Sequence, residues 1–110
     1  MPYIPTGQRQ ALDPLIDALA AQLAQQAAEM EQEAALAGLL NYTCTRLALA
    51  AVHRRYGRLR YWLIALLTGV FKNITDEFYR RLAAPYEDKQ QTQHGDVDVL
   101  AEFQRQIDES

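Results

Sequence analysis

The stretch from Tyr61 to Lys89 constrains the fold most. Its apolar residues Leu63, Leu67, Val70, Ile74, Phe78 and Leu82 recur at spacings of three and four, the period of one helix face. The same stretch holds the only tryptophan, Trp62. Pro85 is expected to stop this helix, because proline lacks the backbone N–H and pushes its predecessor out of helical geometry. The rest of the chain reads as helices that cover this one. The class expected is all-α: a compact bundle of three main helices, a docked N-terminal arm and a short C-terminal amphipathic helix.

Ahead of the central stretch, Pro2 and Pro5 bracket an extended arm whose Tyr3 and Ile4 are apolar enough to dock. Thr6-Gly7 reads as a turn into a short helical segment ending near Leu12. Asp13-Pro14 then reads as a helix start, a capping side chain followed by proline at the first helical position. Leu12, Leu15, Ile16, Leu19 and Leu23 line its apolar stripe. Residues 25–37 are rich in Ala, Gln and Glu, with only Met30 and Leu36 large and apolar. A tract of that kind gains little burial to offset its ordering entropy, so it reads as a flexible insertion, with the first helix ending near Ala28. A second long helix is expected from Leu36 or Gly38 to Tyr56, stopped by Gly57. After Pro85 a polar loop is expected over 90–96, turning at His94-Gly95-Asp96. A peripheral amphipathic helix follows over 97–108.

With 110 residues the chain reads as a single domain. Much of its 49 % hydrophobic content is alanine, which buries little area, so a thin core and self-association are expected. Net charge is −3, which sets up no global attraction to nucleic acid or anionic lipid. The single Cys44 fits a reducing compartment. The longest nearly uncharged apolar run, Tyr61–Phe71, falls short of the ~20 residues that span a bilayer, so no segment is expected to have that reach. No leader pattern is visible. The expectation is a cytoplasmic protein without a membrane partner.

Four places offer chemistry. In the segment Asp76–Arg81, the pairs Asp76–Arg80 and Glu77–Arg81 have the i,i+4 spacing of exposed helix ion pairs, acid first. The alternative is an arginine turned inward to clamp an anion with its planar fork. In Asn41–Arg46, polar residues that favour helices only weakly stand inside a helix, which points to side chains in use. The plainer explanation is a hydrogen-bonded helix start, with Arg46 paired to an acid such as Glu77. Arg54, Arg55, Arg58 and Arg60 crowd the end of the second helix beside Tyr56 and Tyr61, a mixture able to hold phosphates and stack bases. A solvated helix end explains it more simply. Glu87, Asp88, His94, Asp96 and Asp98 supply oxygens and an imidazole without a recognised metal spacing, so neither metal nor cofactor is expected.

Several phrases, taken in order, resemble a known family. They are Met-Pro-Tyr-Ile-Pro at the start, Leu12–Asp17, Leu-Asn-Tyr-x-x-Thr-Arg-Leu at 40–47, Phe78–Arg81, Ala84–Lys89 and Gly95-Asp96-Val97. Together, over about residues 1–97, they resemble a family of small uncharacterised proteins met in bacteriophage and bacterial metagenomic sequences. Gly38-Leu39 stands where family members tend to carry Gly-Asp, and the 25–37 tract looks longer than usual. The resemblance implies that its polar phrases form one site: Asn41, Tyr42, Thr45 and Arg46 with Tyr79, Arg80 and Arg81, and with Tyr86, Glu87 and Asp88; Glu77, four residues before Arg81, joins these as a candidate ligand-binding residue.

The function expected is non-catalytic: a phage-type accessory protein binding a partner protein or a small anionic ligand such as a nucleotide, and forming homo-oligomers. The alternative is a small enzyme acting on a phosphorylated substrate. Nucleic-acid binding through Arg54–Arg60 ranks below both.

Overall fold

The computed structural model describes residues 2–110. It is all-α among the described residues. The elements are α1 (Thr6–Glu29), α2 (Ala35–Tyr56), α3 (Tyr61–Phe78), a π-helical segment (Tyr79–Ala83), α4 (Ala84–His94) and α5 (Asp98–Glu109). The chain divides into two units, one running to Val70 and the other from Phe71 to Ser110.

In the first unit, α1 starts earlier than the sequence suggests. Pro5, at ψ 151°, is its N-cap, and the amides of Gln8 and Arg9 both donate to the Pro5 carbonyl at 3.1 Å. Pro14, expected at the first helical position, therefore lies inside a continuous helix. Residues 6–12 tolerate helix well enough that one missing N–H at Pro14 does not stop propagation. The arm is tied back by Arg9, whose Nε donates to the Ile4 carbonyl at 2.7 Å.

The tract read as an insertion is mostly helical. Residues 25–29 finish α1 and 35–37 open α2, leaving only 30–34 outside helix. Ala35 is one of the three buried residues of the described chain, the others being Val52 and the fully covered Leu63. In the same unit Leu23, Ala27, Leu39, Ala48 and Leu67 are half-buried. α1 packs on α2. Gly57 ends α2 in the left-handed region (φ 82°), its amide donating to the His53 carbonyl at 2.8 Å, the glycine stop expected there. By length and composition α2 can cross a membrane, contrary to the expectation that no segment here has that reach. Arg46 stands near its middle, where a charge costs ~2.5–3.5 kcal/mol in a bilayer.

The second unit corrects the reading of Pro85. The helix does not stop there; it widens. The missing N–H of Pro85 removes the α-type bond to the Arg81 carbonyl, and the ring crowds that carbonyl. The chain accommodates this in the turn before, where the Ala84 amide reaches back to the Tyr79 carbonyl, an i→i+5 bond. α4 then continues to His94, so the polar loop expected at 90–96 shrinks to Gly95–Val97. Gly95 (φ 87°, ψ 160°) makes the turn. α5 is the most strongly amphipathic helix, yet Leu100, Phe103 and Ile107 are all exposed.

Candidate functional site

The predicted site residues fall into two sets. Asn41, Tyr42, Thr45 and Arg46 stand on α2 in the first unit; Glu77, Tyr79, Arg80, Arg81, Tyr86, Glu87 and Asp88 belong to the second. The contacts described lie within each set.

On α2 the polar residues serve the helix itself. The Thr45 hydroxyl donates to the Asn41 carbonyl at 2.7 Å, the back-bonding by which a threonine satisfies its side chain within a helix. Tyr42 and Arg46 are exposed.

The second set contains two organised contacts. Arg80 Nη2 lies 2.9 Å from both carboxylate oxygens of Glu77. The spacing is i,i+3, so Arg80 pairs with Glu77 where the sequence suggested Asp76. The second contact spans the π-helical segment, where the Tyr79 hydroxyl donates to Glu87 Oε2 at 3.2 Å. In an unbroken α-helix, residues eight apart are rotated by about 80° from one another. One extra residue absorbed by the wide turn returns the offset to about 20°, as if they were seven apart. The π-helical turn thus puts Tyr79 and Glu87 on one face. The carboxylate raises the Tyr79 phenol above its ordinary range, first by accepting its proton in the hydrogen bond and then by charge, with Asp88 adding a little.

This arrangement is self-satisfying. The Arg80 guanidinium already has a carboxylate, and the Tyr79 phenol already has an acceptor. A small anion would have to displace one or both. That makes the cluster a clasp across a helix irregularity more readily than an open anion site.

Two features emerge only in three dimensions. A cavity of ≈ 370 Å³ opens between the N-terminal arm and α1, lined by Tyr3, Ile4, Arg9, Leu12, Asp13 and Ile16. The apolar spacing Ile4, Leu12, Ile16 hints at it, but the polar pair Arg9 and Asp13 depends on α1 starting early. At the α2–α3 corner, Tyr56 and Trp62 meet edge to face, their centroids 5.2 Å apart at 81°. The Arg55 guanidinium sits 5.1 Å from the Tyr56 ring centre. Tyr56 and the arginines are visible in the sequence; the part played by Trp62 is not.

A family described as "Domain of unknown function (DUF6899)" matches residues 1–97. The chain belongs to this family. The match ends one residue before α5 begins, so the DUF6899 region comprises the arm, α1 to α4 and the glycine turn. No curated protein and no solved structure matches the chain.

Proposed function

We propose that this DUF6899 protein is a non-catalytic accessory protein of phage type that works in the cytoplasm by docking on protein surfaces, copies of itself included. The observation that carries this reading is the contrast between amphipathic patterning and actual burial. None of the three buried residues lies in the second unit. Phe78, Leu82, Leu100, Phe103 and Ile107 all stand open there, Ile107 at 71 %. A side chain of that size gains ~1.5–3 kcal/mol on full burial, so such a unit draws apolar cover from outside itself. In the first unit Leu15, Ile16 and Leu47 are likewise uncovered. The bundle with a docked arm is the arrangement we propose for α1, α2 and the start of α3. Symmetric homo-oligomers are the commonest way such faces are closed.

The small-anion reading draws less support, since Arg80 is occupied by Glu77. Light scattering at micromolar concentration tests the proposal. A species well above 12.5 kDa is expected. A clean 12.5 kDa species that no partner protein enlarges would end it.

A further inference from the structure

We propose that the α2–α3 corner binds single-stranded nucleic acid. The corner lies wholly within the first unit, and four arginines converge on it: Arg54 and Arg55 from the last turn of α2, Arg58 and Arg60 from the link to α3. All four are exposed. Among the described residues none of them makes an ion pair.

The chain's acidic balance hides how basic this region is. From Ala34 to Val70 there are five arginines, Arg46 being the fifth, and not one Asp or Glu. Glu29, Glu31 and Glu33 precede α2, whose 22 residues separate them from the corner by about 33 Å. That is several Debye lengths at physiological salt, where the screening distance is ~8 Å. The charge carried from Ala34 to Val70 is therefore wholly positive although the whole chain is not, and α1, which packs on α2, adds Arg9 with Asp13 and Asp17 to the same unit.

Charge alone would suit any polyanion, and the aromatic rings narrow the choice. Tyr61 is 83 % exposed and Trp62 50 %. Trp62 meets Tyr56 edge to face, and the Arg55 guanidinium lies over the Tyr56 ring. Flat rings held open beside guanidinium forks match what an unpaired nucleotide offers, a base face next to a phosphate. A duplex hides its base faces, and an acidic peptide offers carboxylates without rings. All four cations are arginine, the side chain that both forks onto phosphate and stacks on bases. A bilayer would also accept rings and cations, but Arg46 makes insertion of the adjoining helix costly.

The test is anisotropy of a labelled oligouridylate of about 15 nucleotides, within the site size of simple single-strand binders. The full chain is titrated over a range of salt. Because Trp62 is the only tryptophan, its fluorescence reports stacking directly. Binding should quench that fluorescence and weaken steeply with salt. Replacing both link arginines, Arg58→Gln with Arg60→Gln, should weaken binding at least tenfold. It should also flatten the salt slope by about 1.4, at roughly 0.7 per lost phosphate contact. Tyr61→Ala should weaken binding fivefold or more and leave the slope unchanged. Arg105→Gln on α5 should change nothing. Circular dichroism confirms that these exposed variants remain helical. The proposal is overturned if wild-type protein fails to bind at low salt, or if the double variant binds as tightly as wild type. It is equally overturned if a duplex, polyglutamate or phosphatidylserine vesicles compete as well as unlabelled oligouridylate.

Discussion

The two units of this protein keep their order by different means. The first, through Val70, contains every buried side chain of the described structure: Ala35, Val52 and Leu63, drawn from α2 and α3. The second buries none, and the ion pairs described all lie within it. Arg80 holds Glu77, Tyr79 holds Glu87, and Arg105 reaches both Glu102 and Glu109. These are neighbours on the same or adjoining helices. Exposed pairs of this kind are worth ~1 kcal/mol or less each, whereas one buried leucine is worth several. The contrast teaches that helical content and tertiary stability are separable within 110 residues. The first unit is stabilised by burial. The second is a set of locally satisfied helices whose apolar faces are exposed.

The largest expected effect breaks the core. Leu63→Ala removes the one fully buried large side chain and should cost about 2–5 kcal/mol in urea unfolding. The matched change in the second unit, Phe103→Ala, should cost far less in dilute solution, because Phe103 is 58 % exposed. If the two losses are equal, the second unit has a core after all and the contrast fails.

Next in size is the effect on assembly. If the face of Leu100, Phe103 and Ile107 is covered by another copy, the unfolding midpoint should rise with protein concentration. Phe103→Asp with Ile107→Asp should abolish that dependence and shrink the particle in light scattering. A wild-type midpoint independent of concentration would show that α5 contributes no self-association.

Much of this was legible in the sequence. The all-α class followed from apolar spacings of three and four, and the end of α2 from Gly57 alone. Both prolines misled, for one reason. Pro14 and Pro85 each remove a single N–H, and whether that ends a helix depends on what the flanking residues can do. Residues 6–12 propagate helix up to Pro14, and the turn before Pro85 widens to a π-helical one. No local pattern encodes that balance. The contacts among the candidate residues were half legible. Tyr79, Arg80, Glu77 and Glu87 were chosen for their chemistry, but the pairing of Tyr79 with Glu87 depends on the extra residue in the π-helical turn. The pairing of Arg80 with Glu77, three residues away, was not read from the spacings, which suggested Asp76 for Arg80.

A matched pair of glycines sharpens the comparison. Gly57 and Gly95 both have positive φ, 82° and 87°, and a Cβ at either would meet nothing within 4 Å. Any penalty is therefore conformational. Gly57→Ala should cost about 1–2 kcal/mol of global stability, because the corner it forms connects α2 to the helix bearing Leu63. Gly95→Ala imposes ~1–3 kcal/mol of local strain. It should leave the global midpoint nearly unchanged, appearing instead as faster amide exchange in α5. A midpoint shift for Gly95→Ala as large as for Gly57→Ala would show that the second unit unfolds together with the first.

The smallest effect is one of pH, and it is expected in the second unit. The Glu102 carboxyl is held below its ordinary range, first by Arg105 and then by the Gln106 amide. A lowered folded-state value means stability that is complete above the ordinary carboxylate range and lost as pH falls through the folded-state value. Tyr79 is the opposite case. Its raised phenol gives stability that is complete below the ordinary phenol range and lost as pH climbs through the folded-state value. Acid should therefore loosen α5, and alkali the clasp between Tyr79 and α4. Both groups are exposed, so solvent screening keeps each effect small. Amide protection factors, which normalise for intrinsic exchange, are the suitable measurement. In acid, protection around Phe103 should fall while that around Val52 and Leu63 holds. Glu102→Gln should remove most of that acid sensitivity, and Tyr79→Phe should do the same for α4 in alkali. Equal loss of protection in both units would mean that acid unfolds the chain as a whole, and the division between a buried unit and a locally paired one would have to be given up.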